Sequence, residues 1–225
     1  MSQATESRIP KEERLRVTEV YASIQGESTH GGKPCVFVRL TGCNLRCKWC
    51  DSTHTFSGGV PRRLDDVLSE AHGHEIHTVE VTGGEPLVQR NALVLLQKLL
   101  DLGHEVLLET SGSLSIADVP RGVHIIMDLK PPDSGEVAAN LWENIGLLKA
   151  TDEVKFVVAS RGDYEWSREV TRQHRLADRC TVLFSPAWGL VDPADMAAWI
   201  LEDLLPVRLN LQLHKVVWGA QATGV

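Results

Sequence analysis

Short β-rich runs alternate with helical patterns along the chain, and its chemically unusual residues stand directly after those runs. Together these predict an α/β fold of parallel strands joined by helical crossovers. Strand character marks 36–40, 78–82, 105–110, 123–129, 153–159, 181–184 and 207–211, each rich in β-branched or aromatic residues. Apolar residues at three- and four-residue spacing predict helices over 63–71, 91–102, 138–148, 163–174 and 193–204. Such an alternation builds either a doubly wound sheet or a full or partial barrel. Because helix patterns are fewer than strand patterns, a partial (β/α) barrel of about six parallel strands with a reduced helical outer layer is expected. Either architecture gathers chemistry at the carboxyl ends of the strands. That is where Cys43, Gly83 to Pro86, Ser111 and Lys130 fall.

Length and composition set the frame for that fold. A chain of 225 residues, 43% hydrophobic and 24% charged, suits one soluble domain spanning 1–225. It contains no internal repeat or linker-like tract. Residues 1–16 are polar and mixed in charge, and read as a mobile extension rather than a secretory signal. No apolar run approaches the roughly 20 residues that span a bilayer, so a cytoplasmic protein without a membrane partner is expected. The net charge of −7 argues against a broad nucleic-acid footprint, which needs a surplus of Lys and Arg.

The cysteines are more specific. Cys43, Cys47 and Cys50 form a C-x3-C-x2-C pattern, compact enough to wrap one metal centre in a reducing compartment. Soft thiolates favour zinc or an iron–sulfur cluster. A structural zinc normally takes four protein ligands, and His54 is the nearby residue able to supply the fourth. Three thiolates on a four-iron cluster instead leave one iron open to an external ligand. Cys35 and Cys180 sit in apolar runs and read as buried core residues.

With Trp49 as the aromatic before the last cysteine, C-x3-C-x-aromatic-C resembles the signature of the radical S-adenosylmethionine superfamily. The resemblance implies a [4Fe-4S] cluster on the three cysteines and S-adenosylmethionine on the open iron. Electron transfer would then cleave the cofactor to methionine and a 5′-deoxyadenosyl radical. Thr82-Gly-Gly84-Glu85-Pro86 is similar to the superfamily's GGEP loop, in which backbone and Glu85 hold the methionine amino group. By the same resemblance Trp49, Asp51, Gly84, Glu85, Ser111, Asp128, Lys130 and Ser185 are expected to contact S-adenosylmethionine.

Ser23-Ile24-Gln25-Gly26-Glu27-Ser28, Val36-Phe-Val-Arg39-Leu40 and Gln212-Leu-His214-Lys215 together resemble the 7-carboxy-7-deazaguanine synthase family over about residues 17–218. That family converts 6-carboxy-5,6,7,8-tetrahydropterin to 7-carboxy-7-deazaguanine and ammonia. The resemblance implies substrate contacts at Ile24, Gln25, Gly26, Glu27, Arg39, Thr82, Gln212 and His214. It also implies Mg²⁺ on the hydroxyl of Ser52, where many members carry Thr. A homodimer and a reductant such as flavodoxin or ferredoxin follow from it as well. Physically, Arg39 offers a rigid fork for a substrate carboxylate, and Glu27 can accept from the donor edge of a pterin. The competing readings are a glycyl-radical-enzyme activating enzyme, which shares the cysteine pattern, and a zinc-binding module.

Overall fold

The computed structural model describes residues 10–220, 222 and 224. One nine-stranded sheet carries the fold. Its strands are β1 (Arg14–Ile24), β2 (Pro34–Leu40), β3 (Val60–Arg63), β4 (Thr78–Gly83), β5 (Glu105–Thr110), β6 (His124–Asp128), β7 (Glu153–Val158), β8 (Thr181–Pro186) and β9 (Arg208–Leu209). Their spatial order is β3-β1-β2-β4-β5-β6-β7-β8-β9, so the sheet is open and its two edges do not meet. From β2 onward each neighbour in that order pairs in parallel, giving seven parallel strands, the last only two residues long. The helices are α1 (Leu64–Gly73), α2 (Asn91–Asp101), α3 (Arg161–Gln173), α4 (Pro193–Glu202) and α5 (Leu213–Trp218). No α-helix joins β5 to β6 or β6 to β7, which is the reduced outer layer expected of a partial barrel.

Side chains on a strand alternate between faces, and here the two faces differ sharply. Val79, Val81, Val106, Leu108, Ile125, Met127, Val154, Phe156, Val182 and Phe184 share one hydrophobic core with Leu95, Leu96 and Leu99 of α2 and Tyr164 and Val170 of α3. Phe156, Phe184 and Tyr164 meet there edge to face, with ring centroids 5.4 and 5.7 Å apart. The alternate positions, among them Glu80, Thr82, Glu109, Asp128, Lys155 and Ser185, turn to the concave face. Helix starts are fixed locally. The Ser160 hydroxyl accepts from Asp163 N at 3.1 Å, and Asp192 accepts from Ala194 N at 2.8 Å with Pro193 following.

Three expectations need correction. Residues 1–9 lie outside the described residues, but the extension does not run to Arg16: a 3₁₀ turn at Lys11–Glu13 leads into β1, whose Leu15 and Val17 are buried. The alternation Leu15, Val17 is itself a strand signal, and β1 pairs antiparallel with β2 and β3. Residues 138–148 form no α-helix, only 3₁₀ turns at Val137–Ala139 and Trp142–Leu147. There Asn140 bonds both the N–H and the C=O of Lys130, and Asn144 binds Gly112 O, Leu114 O and Ile116 N, so side chains take the place of helical bonds. The expected strand 207–211 shrinks to Arg208–Leu209, because Asn210 turns inward to Ser185 and the chain then enters α5.

Between β1 and β2, residues 25–33 cross beneath the concave face. Gln25 N donates to Lys33 O at 2.8 Å and Gly32 N to Gln25 O at 2.7 Å, closing the loop on itself. Its residues meet β4 at Glu80, β5 at Glu105 and β7 at Glu153 and Lys155. This loop is the floor of the half-barrel.

Candidate active site

The cysteine loop follows β2 and is held from both sides. Gly42 N donates to Thr55 O at 2.7 Å, Glu85 N to Gly42 O at 2.9 Å and Lys48 N to Ser134 O at 3.0 Å. Asn44 Nδ2 donates to Ser113 Oγ at 3.0 Å, and the Arg46 guanidinium lies 4.3 Å from the Phe56 ring centroid. Cys43, Cys47 and Cys50 are free and half-buried, whereas Cys35 and Cys180 are buried as expected. His54 has a carboxylate partner of its own in Glu19, 3.9 Å away. Three cysteines without a fourth protein ligand suit a multi-iron cluster with one open iron better than a four-ligand structural zinc. Burial pushes the Cys47 and Cys50 thiols up, with Lys130 drawing both back.

Gly84 shows why the GGEP loop needs glycine. A Cβ there would lie 2.4 Å from Gly42 O and 2.6 Å from Cys43 Cβ, so loop and cysteine turn are packed backbone on backbone. Gly84→Ala is therefore expected to displace the cysteine turn and destabilise the fold by about 1–3 kcal/mol. Iron content after reconstitution, read beside a urea melt, checks it.

Glu85 is spent inside the chain. Its carboxylate accepts from Leu87 N (2.9 Å), Thr110 Oγ1 (2.9 and 3.0 Å), Ser111 N (2.7 Å) and Ser111 Oγ (2.5 Å), tying the end of β4 to the end of β5. Asp128 differs: Oδ2 accepts from Lys130 Nζ at 2.7 Å, while the buried Oδ1 has no partner among the described residues. An unpaired buried oxygen beside Lys130 and the cysteines is an acceptor awaiting a donor. Ser185 Oγ accepts from Asn210 Nδ2 at 2.6 Å. Trp49 is half-buried within the cysteine loop.

The concave face joins these strand ends through one charged network. Lys155 Nζ, 3% exposed as a residue, contacts Glu27 Oε2 at 2.8 Å and Glu109 Oε1. Thr82 Oγ1 donates to Glu109 Oε2 at 3.0 Å. Although burial opposes it, the Lys155 ammonium with Thr82 holds the Glu109 carboxyl below the usual carboxylate range. Among the described residues no cation is bonded to Glu80. Burial and the charge of Glu109 push its carboxyl up to about 8, with Gln25 Nε2 donating to it.

Glu27 also accepts from Gln212 Nε2 at 2.9 Å, and Gln212 reaches Asp51 Oδ2 at 3.3 Å. Lys215 Nζ donates to the same Asp51 oxygen at 2.6 Å, and Ser52 Oγ to Asp51 Oδ1 at 3.2 Å. Burial works against ionisation of Asp51, but Lys215 and Gln212 hold it well below the usual carboxylate range. His214 packs on Gly26 so closely that a Cβ there would meet Nδ1 at 2.0 Å, and Leu213 N donates to Gly26 O at 2.8 Å. Arg39 gives Nε to Glu19 (2.8 Å) and Nη2 to Tyr21 Oη (2.7 Å), which leaves Nη1 without a hydrogen-bond partner among the described residues.

Most residues expected in the site therefore do converge. Gln25 points to Glu80, and Ile24 ends β1 opposite Pro34 without a polar contact of its own to offer. Residues that sequence reasoning left out are Lys155, Glu80, Asn210 and Lys215. The signal for the first two was present: a charge inside an apolar strand, in Glu153-Val-Lys155-Phe and Val79-Glu80-Val, needs a partner as much as Arg39 does.

A model of the Radical SAM superfamily matches residues 37–175. The chain is 47% identical to the 7-carboxy-7-deazaguanine synthase of Koribacter versatilis, covering 94% of this chain and all of the relative. It is 41% identical to the enzyme of that name from Chlorobaculum tepidum, over 94% of this chain and 97% of the relative. The crystal structure of QueE from Escherichia coli superposes with a TM-score of 0.74 at 23% identity, covering 89% of this chain and 95% of that one.

Proposed function

Because the chain belongs to the 7-carboxy-7-deazaguanine synthase family within the radical S-adenosylmethionine superfamily, we propose that it carries out that family's ring contraction. The substrate is 6-carboxy-5,6,7,8-tetrahydropterin, and the products are 7-carboxy-7-deazaguanine and ammonia. The observation that carries this reading is the junction of Glu27 with Gln212, and of Gln212 and Lys215 with Asp51 beside Cys50. It brings the two segments that distinguish this family onto the cysteine loop, and it provides paired acceptors and donors suited to a flat, polar heterocycle. The activating-enzyme alternative is not favoured by the relatives' names, and an extended protein substrate has no need of such a junction.

Cys43, Cys47 and Cys50 would hold the cluster, and Gly84, Ser111, Asp128 with its free Oδ1, Lys130 and Ser185 would hold S-adenosylmethionine. When bound, the pair supplies one-electron chemistry for hydrogen abstraction at an unactivated carbon. The chain's own task is orientation, which governs what a reactive radical meets. Arg39 Nη1 would take the substrate carboxylate, and Glu27 and Thr82 would fix the donor edge. His214 would close the pocket against Gly26. Gln25 would keep the loop in register by donating to Glu80 and accepting from Glu27 N at 2.5 Å.

Mg²⁺ is assigned to Ser52 Oγ together with the substrate carboxylate and water, in keeping with the few protein ligands that magnesium takes. Ser52→Ala is expected to lower turnover about tenfold and remove its magnesium dependence while iron content stays unchanged. Steady-state rates across a magnesium titration check this. A flavodoxin- or ferredoxin-type donor and a homodimeric state complete the proposal on family grounds. No helix among the described residues is long and apolar enough to cross a membrane.

The deciding experiment is an anaerobic reaction of reconstituted protein with reductant, S-adenosylmethionine, Mg²⁺ and 6-carboxytetrahydropterin, followed by mass analysis. Appearance of 7-carboxy-7-deazaguanine supports the reading. Deoxyadenosine without that product would leave the radical chemistry standing and overturn the substrate.

A further inference from the structure

The floor of the half-barrel holds a second group of ligand-type side chains, at the end of the strands opposite the cysteines. His124 opens β6, Glu153 opens β7, and His30 comes from the 25–33 loop. One potential ligand atom from each lies within 4.8 Å of the other two. Glu153 is 1% and His30 8% exposed, with His124 half-buried at the rim.

The surroundings are organised as an outer shell. His30 Nε2 lies 3.2 Å from Glu105 Oε1, so a proton at Nε2 fixes the ring and leaves Nδ1 with a lone pair. That Nδ1 is 3.5 Å from Thr29 Oγ1, which itself donates to Glu153 Oε1. Glu105 is held in turn by Thr78 Oγ1 at 2.7 Å. A carboxylate behind a histidine, with the near nitrogen free, is the usual support for a metal-ligating imidazole. The Glu153 carboxylate is aimed by Thr29 N at 3.1 and 3.2 Å, and His124 Nε2 stands 3.0 Å from Glu153 Oε1. The His30 and His124 rings meet edge to face at 4.7 Å. Two imidazoles and a carboxylate are a donor set for borderline divalent ions, zinc foremost.

We propose that His30, His124 and Glu153 form a structural site for a divalent transition-metal ion of the zinc type, separate from the cysteine loop. The ion takes the place of the proton between His124 Nε2 and Glu153, which passes to solvent. Water fills the fourth position at the His124 rim. Bound there, the ion fastens the 25–33 loop to the first residues of β6 and β7, three residues from Glu27.

The test uses full-length protein with its cluster assembled, equilibrated with zinc at low micromolar free concentration and desalted. One zinc per chain beyond the cluster iron is expected, weakened about tenfold or more by His124→Gln and by His30→Gln with iron unchanged. The Cys43→Ser/Cys47→Ser/Cys50→Ser chain is expected to keep that zinc. Anomalous diffraction at the zinc edge from unsubstituted protein should place the ion between the two histidines, a readout that does not depend on any variant folding. Absence of excess zinc, zinc lost with the cysteines but not with His124, or an anomalous peak elsewhere would each overturn the proposal.

Discussion

Replacing Cys47 with alanine is expected to leave a folded chain that binds almost no cluster iron and cleaves no S-adenosylmethionine. Three thiolates already leave one iron without a protein ligand, so losing the middle one removes a third of the anchoring. Cys47 is half-buried in a loop outside the hydrophobic core, and the hydrogen bonds fastening that loop come from Gly42, Asn44 and Lys48 rather than from its sulfur. The thermal melt should therefore move little, while iron and sulfide fall from about four each per chain to a small fraction of one, and deoxyadenosine formation falls by about 10³-fold or more. Iron analysis, electron paramagnetic resonance of the reduced protein and chromatography of the nucleoside report the three quantities. A cluster-loaded, fully active variant would contradict both the ligand assignment and the reaction class.

Lys155→Met should damage stability and catalysis together. Its ammonium is the cation bonded to both Glu27 and Glu109, and all three lie on the concave face with Glu80 close by. Removing one partner of a buried ionic network leaves uncompensated charge, which costs about 3–5 kcal/mol. The deficit has a pH signature. Glu109 is held low by Lys155 despite its burial, so its contribution is present above the ordinary carboxylate range and lost as pH falls through its lowered value. Without Lys155 that contribution disappears and Glu109, left among the other carboxylates of the concave face, gains by taking up a proton. The gap between variant and parent should then be largest near pH 8 and shrink toward pH 5. Glu80 runs the other way in the parent: its raised carboxyl favours the fold at low pH, and that contribution fades as pH climbs toward about 8. Urea unfolding at both pH values measures the gap. An equal deficit at pH 5 and pH 8 would mean that Lys155 acts by packing alone.

The parallel strands were legible because their outward residues are apolar and β-branched, and their inward residues announced themselves as polar interruptions. Lys155 was overlooked because one charge between Val154 and Phe156 does not disturb a strand pattern, and its partners are 46 and 128 residues away in sequence. The segment 138–148 misled for a different reason. Its apolar spacing is helical, but Asn140 and Asn144 satisfy backbone groups of distant loops, which periodicity does not register. β1 was missed: its buried alternation begins at Leu15, inside a stretch whose charges suggested an unstructured tail. The motifs around Gln25 and Gln212 marked residues of one site. Their meeting through Asp51 is a tertiary fact, since Glu27 and Gln212 lie 185 positions apart.

That separation bears on how the protein comes into being on the ribosome. Strands emerge in the order they are translated, and the early ones can pair while later ones are still being made. The cysteine turn and the floor loop are therefore available from the first quarter of synthesis, with Glu27 and Asp51 lacking Gln212 and Lys215 until almost the whole chain is out. A nascent or stalled chain ending before residue 210 would present its thiols to iron delivery with Glu27 and Asp51 still without these two partners. The junction of Glu27 and Asp51 with Gln212 and Lys215 is thus the last part of the fold to be completed, and it arrives with the residues that lock Gly26 beneath His214.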